Sequence, residues 1–138
     1  DDAPLTRNKA VVLRFNREVI ERGDVAAFKD ILATDFVNRT APPGMSTGPD
    51  GMLSTFNNVL RPAFPDLRVD VHDQIAEGDK VTTRKTIRGT HQGPLLGIAP
   101  TGKQVAIEVI DIIRLRDGQY VEHWGINTLS VVLTQLRS

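Results

Sequence analysis

One carboxylate interrupts the apolar face of a predicted β-strand. The odd positions from 105 to 115 are apolar except for Asp111, whereas the even positions include Glu108, Arg114 and Arg116. This alternation predicts a strand whose odd side chains are buried, so Asp111 is expected in the protein interior. Burial disfavours the charged form of a carboxyl group and raises its pKa towards the range useful for acid–base catalysis. Asp111 is therefore our candidate general base.

The next strand supplies a candidate partner, because Asp117-Gly118 strongly predicts a hairpin. A three-residue loop with Gly118 in the left-handed conformation places His123 directly opposite Asp111. A two-residue turn reverses the parity and points Glu122 and Trp124 inward instead. We favour the three-residue loop, since it leaves Glu122 in water.

An aspartate and a histidine that meet inside a protein can exchange a proton with a bound substrate. We therefore predict that Asp111 and His123 form a catalytic dyad, with Asp111 as base and His123 as its partner and proton donor. The alternative is that Asp111 orients His123 in a buried polar network that performs no chemistry.

Further side chains could bind a substrate near the dyad. Asn38, His91 and Asn127 are candidates for hydrogen bonds. Nothing in the spacing of His91, His123 and Asp111 supports a metal triad, so we expect no metal. Three aromatic residues would line the pocket if the domain is hollow and would otherwise be core: Phe15, Phe36 and Phe56.

The order of the predicted elements defines the fold class. The first third of the chain has apolar residues at the spacing of two helices, divided at Gly23-Asp24, and a further helix starts at Pro49 after a loop rich in proline and glycine. Period-two alternation then predicts strands at about 67–71, 80–91, 104–116 and 120–125, followed by a helix at about 128–136. Helices followed by an antiparallel meander predict an α+β fold. No linker is apparent, so we expect one domain over residues 1–138.

Composition excludes several functions. The 138 residues carry 17 Lys and Arg against 17 Asp and Glu, and they include no cysteine. A balanced charge argues against nucleic-acid or membrane-surface partners, and the lack of cysteine excludes thiol catalysis and disulfides. No apolar run approaches the roughly 20 residues of a membrane span, and no signal peptide is visible. We therefore expect a cytoplasmic protein.

Several segments of the second half resemble the SnoaL-like polyketide cyclases, a family within the NTF2-like superfamily. The initial helix and the segment around Asn38 fit this resemblance, which covers nearly the whole chain. The specific segments are GTHQG at 89–93, LGI at 96–98, PTGK at 100–103, IDIIR at 110–114 and RDGQYVEHW at 116–124.

The resemblance implies a cone-like fold, in which a strongly curved antiparallel sheet and N-terminal helices enclose a cavity. It also implies a homodimer, or a tetramer, and a small-molecule substrate. The founding cyclases close a ring by an intramolecular aldol reaction without metal or cofactor. In them an aspartate takes the proton next to a carbonyl group.

The sequence departs from the family pattern at Gly125 and Thr128, where family members often carry aspartates. Either Asp111 takes over the role of base beside His123, or cyclase chemistry is absent. We expect a small, apolar, oxygenated ligand in an internal pocket and cofactor-free aldol cyclisation, isomerisation, dehydration or hydration. The alternatives are a binding protein without catalysis and a hydroxylase-like family member.

Overall fold

The computed structural model describes residues 2–138. The first half is mainly helical and contains two π-helical segments, each continuous with an α-helix. The helices are α1 (Ala3–Arg14), continued by a π-helical segment (Phe15–Glu21), α2 (Val25–Ile31), α3 (Pro49–Ser54), continued by a π-helical segment (Thr55–Leu60), α4 (Arg61–Ala63) and the C-terminal α5 (Leu129–Arg137). Asp24 begins α2 by accepting a hydrogen bond from the Ala27 amide. None of these helices is long and apolar enough to cross a membrane.

Within residues 2–138, five strands form one curved, open sheet with the order β1-β5-β4-β3-β2. They are β1 (Leu32–Asn38), β2 (Arg68–Glu77), β3 (Lys80–Thr90), β4 (Gln104–Arg116) and β5 (Gln119–Asn127). Strands β2 to β5 form the predicted antiparallel meander, while β1 joins the edge in parallel to β5. The predicted α+β fold is confirmed, and the parallel pairing of β1 adds to it.

The helices cover one face of the sheet, which we call the inner face, and the main core lies between them. Odd-numbered side chains of β3 and β4, such as Val81 and Ile113, point into this core. Phe15 packs against Phe56 and Tyr120, with ring centroids 6.0 Å and 4.6 Å apart, respectively. The opposite face, which we call the outer face, carries the even-numbered side chains of β4.

The β4–β5 hairpin has the shorter of the two loops predicted from the sequence, but not the side-chain parity expected from that loop. Asp117 and Gly118 form a two-residue turn with positive φ at both positions, so the favoured three-residue loop is wrong. An extra residue, Val121, then forms a bulge in β5 and restores the parity. His123 consequently reaches the inner face but pairs with Ile113. The predicted pairing of His123 with Asp111 is also wrong.

Candidate functional site

Asp111 lies on the inner face of β4 between two nitrogen-bearing side chains. Its Oδ2 is 3.4 Å from Nζ of Lys85 and 3.6 Å from Nε2 of His123. Lys85 lies on β3, and its side chain and that of Asp111 are only 5% and 8% exposed. The structure thus brings together Asp111 and His123, as predicted, and adds a buried lysine. We call Asp111 and His123 the dyad.

Lys85 is held in place by the first helical region. Its Nζ donates a hydrogen bond of 2.7 Å to Oδ1 of Asn16, and the Asn16 amide nitrogen donates to the Val12 carbonyl at 2.9 Å. Asn16 belongs to the π-helical segment that continues α1, and such segments frequently occur at functional sites. The lysine therefore has one neutral and one charged neighbour, both buried.

Asn38 fixes the orientation of His123. Its Oδ1 lies 2.7 Å from Nδ1 of His123 and also accepts a hydrogen bond from the Thr40 amide. Since this oxygen is an acceptor, Nδ1 of His123 carries a proton, and the neutral ring keeps its lone pair on Nε2. The nitrogen that can gain a proton is thus the one that faces Asp111.

The charge state of Asp111 results from opposing effects. Burial raises its pKa, but the positive charge of Lys85 and the contact with His123 together outweigh burial, so the net pKa lies below the usual range. The expected rise in the pKa of Asp111 is therefore wrong. Asp111 is an ionised carboxylate at neutral pH. Burial, together with the negative charge of Asp111, raises the pKa of Tyr120 well above the usual value.

Gly125 pairs directly with Asp111 across the two strands. A Cβ atom at this position would lie 2.9 Å from both Cε1 and Nε2 of His123 and 3.3 Å from Cβ of Asp111. Distances below 3.0 Å require a shift of one partner, so the imidazole occupies the space that a side chain at position 125 would need. Glycine at this position is what allows His123 to approach Asp111.

We call Asp111, His123, Lys85, Asn16 and Asn38 the cluster. The remaining candidates are not part of it. His91 is buried, but it follows Thr90 at the end of β3, whereas the strand residue that pairs with Asp111 is Thr83. Nδ1 of His91 contacts Thr101. Asn127 is exposed, and its side-chain oxygen accepts a hydrogen bond from the amide of Leu129 at the start of α5. The three aromatic candidates are buried core residues: Phe15, Phe36 and Phe56. Their roles in substrate binding stay predictions.

Two residues of the cluster were missed in the sequence, Lys85 and Asn16. Lys85 shares the odd positions of Val81 and Ile87, so the count that placed Asp111 inside would also have found it. Asn16 follows Val12 by four residues and therefore lies on the same helical face. Both signals were present, but each conflicts with the general rule that charged and amide side chains are exposed.

A surface depression of about 370 Å³ reaches the cluster from outside. It lies between the first helical region and β2, and Asn16 forms part of its wall. The residues around it are Leu13, Asn16, Arg17, Glu21, Val69, Asp70 and Val71. Because Asn16 contacts Lys85, this depression is one approach to the buried charges.

The sheet, the helices that cover it and the buried charged cluster together place the chain among the NTF2-like α+β proteins. The family model for SnoaL-like polyketide cyclases matches residues 10–136. The chain therefore belongs to the SnoaL-like polyketide cyclase family.

Solved structures agree with this assignment. The chain is similar to IdmH, a candidate polyketide cyclase from Streptomyces antibioticus, with 31% identity, a TM-score of 0.82 and coverage of 95% of this chain and 99% of IdmH. It is also similar to AclR, a candidate hydroxylase from Streptomyces galilaeus, with 30% identity, a TM-score of 0.83 and coverage of 96% and 82%. A search of curated proteins found no match.

Proposed function

We propose that the protein binds a small, largely apolar, oxygenated molecule and moves a proton on it without a cofactor. The observation that carries this proposal is the arrangement of His123, whose Nδ1 is held by Asn38 while Nε2 faces the ionised Asp111. A histidine whose Nδ1–H is held by an acceptor has one fixed tautomer and can act as a base at Nε2; here Asn38 is that acceptor.

We assign the two roles of the dyad differently from the prediction made from the sequence. Asp111 has a lowered pKa, and a weakly basic carboxylate is a poor acceptor for a carbon-bound proton. In the proposal, neutral His123 takes the proton at Nε2, and Asp111 stabilises the imidazolium that forms. Lys85 keeps Asp111 ionised and supplies positive charge near the enolate oxygen that develops on the substrate.

Such a proton transfer is the first step of several reactions. Removal of a proton next to a carbonyl group gives an enolate, which can attack a second carbonyl within the same molecule to form a carbon–carbon bond. Return of the proton from His123 to the resulting alkoxide completes an aldol cyclisation, whereas its return to another carbon completes an isomerisation. The similarity to IdmH favours the cyclisation. The substrate and the expected homodimer stay predictions.

Binding without chemistry is the second candidate function. Asp111 is neutralised by cationic or polar neighbours on both sides, as in buried networks that only specify structure. The similarity to AclR keeps a hydroxylase-like activity among the alternatives.

Deuterium incorporation into a cyclic ketone tests the proposal without knowledge of the natural substrate. With 2-tetralone in D₂O, we expect the wild-type protein to accelerate exchange at the carbon next to the carbonyl, followed by NMR. His123→Gln should lose most of the acceleration, on the order of 10²- to 10⁴-fold. His72→Gln is the matched control, because His72 is exposed and contacts Thr86 instead.

Two results would contradict the proposal. Wild-type protein that binds the ketone without accelerating exchange would support the binding function. Equal exchange rates for the wild type and His123→Gln would remove the dyad from the chemistry.

A further inference from the structure

Two buried polar atoms next to the dyad have no hydrogen-bond partner within residues 2–138. They are Oγ1 of Thr83, whose residue is 0% exposed, and Oδ1 of Asp111. Lys85 and His123 both contact the other carboxylate oxygen of Asp111, Oδ2. Buried polar atoms in native proteins nearly always have a partner, and an unpaired one destabilises the fold. Both atoms are therefore suited to a partner from outside the chain.

The two atoms belong to one small site. Thr83 and Asp111 are direct partners across β3 and β4, and both side chains point to the inner face. The Cβ atoms of directly opposite residues in an antiparallel pair lie about 4.5–5.5 Å apart. One group between them can therefore contact both.

The chemistry of the two atoms restricts what that group can be. The ionised carboxylate of Asp111 only accepts hydrogen bonds, whereas the Thr83 hydroxyl can donate one. A group that satisfies both must accept from Thr83 and donate to Asp111. A hydroxyl does this with a single oxygen atom, whereas a carbonyl or an ether oxygen can only accept.

We propose that Thr83 and Asp111 Oδ1 bind a hydroxyl group of the ligand, so that the protein selects enols, phenols or alcohols over their ethers. The inference rests on the proposed function and deepens it, since it concerns the site of the same dyad and names the class of molecule that binds there. A hydroxyl bound here lies beside Oδ2 of Asp111 and thus next to the proton-transfer site. Thr83 is a residue that determines specificity, and it takes no part in moving the proton.

A pair of probes that differ only in the hydroxyl tests the inference. We expect 2-naphthol to bind the wild-type protein roughly 10- to 100-fold more tightly than 2-methoxynaphthalene, because the ether leaves Asp111 Oδ1 unpaired. Affinity is measured by amide chemical shifts in NMR titrations. Thr83→Val, which keeps the shape and removes the hydroxyl, should reduce this preference to a few-fold or less, whereas Thr83→Ser should retain it.

Thr82→Val is the matched control, since Thr82 precedes Thr83 on the same strand and points to the other face. It should leave the preference unchanged. Equal affinity of the wild type for both probes, no binding of 2-naphthol at millimolar concentration, or a preference that survives in Thr83→Val would each overturn the inference.

A crystal structure of the free wild-type protein gives a second test that needs no variant. An ordered water within hydrogen-bond distance of Thr83 Oγ1 and Asp111 Oδ1 would support a site for a hydroxyl oxygen. A direct hydrogen bond between Thr83 and a protein acceptor would overturn it. Both tests measure binding and not catalysis. If the protein prefers 2-naphthol but does not accelerate proton exchange, this inference holds and the proposed catalysis is wrong.

Discussion

The two faces of the sheet carry the same kinds of charged side chains under opposite conditions. On the outer face, Glu122 pairs with Arg39 at 2.8 Å and with Arg114 at 3.3 Å, and Arg116 pairs with Asp35 at 2.9 Å. The side chains of this last pair are 56% and 62% exposed. On the inner face, Asp111 and Lys85 are almost completely buried.

Charged side chains at the surface keep their hydration, whereas buried charged side chains lose it and need compensating interactions. Exposed pairs such as Arg116 and Asp35 contribute little to stability, because water and salt screen their charges. A buried pair loses the hydration of both ions, and apolar residues of similar volume often give equal or greater stability. The charges on the inner face are therefore better explained by ligand binding or catalysis than by stability.

The largest expected effect comes from Lys85→Met. This change leaves the buried carboxylate of Asp111 without its lysine, which should lower the free energy of unfolding by about 3–5 kcal/mol. The matched change on the outer face, Arg116→Met, should lower it far less, because the exposed pair of Arg116 with Asp35 is screened by water. Urea unfolding of both variants measures the difference. Equal losses would show that the two faces do not differ as described.

Gly125→Ala should have the next largest effect. The new Cβ would collide with the imidazole of His123, so the ring must move and the variant should lose about 1–3 kcal/mol of stability together with proton exchange. His123→Ala in the same chain removes the collision. The double variant should therefore lose less stability than the two single changes predict when added. Simple additivity would contradict the close contact between position 125 and the ring.

Acid should reveal a smaller effect of Asp111. The pKa of Asp111 in the folded state is lowered, so its ionised form stabilises the fold above the unfolded-state pKa of about 3.9. This contribution is lost as the pH falls through the lower folded-state pKa. Asp111→Asn should lose less stability than the wild type below about pH 4, as measured by unfolding at pH 2 to 6. If the stabilities of the wild type and Asp111→Asn changed in parallel with pH, the pKa of Asp111 would be the same in the folded and unfolded states.

Much of the fold followed from the sequence because its signals are local. Strand β4 was predicted with its observed bounds, since a period of two over so many residues has no competing interpretation. The inward direction of Asp111 followed from the same count. His123 was assigned to the correct face for an incorrect reason, because the bulge at Val121 compensates for the shorter turn and no residue type there marks it.

The rest of the site depends on contacts between distant segments. The contact of Asn38 with His123 spans 85 positions in the chain. The pKa of Asp111 depends in part on a lysine of another strand, whose positive charge opposes the rise that burial alone would cause. The role of Gly125 follows from the conformation of the His123 ring, which no sequence pattern specifies.

The state of the His123 ring tests the central claim, that the inner-face charges form a proton-transfer dyad. Nitrogen-15 NMR of the ring over a range of pH assigns the proton on each nitrogen. Our account predicts that Nδ1 stays protonated throughout, held by Asn38, and that Nε2 alone gains and loses a proton. A neutral ring protonated at Nε2, with Nδ1 free, would contradict it, because the basic nitrogen would then face Asn38 and not the carboxylate of Asp111.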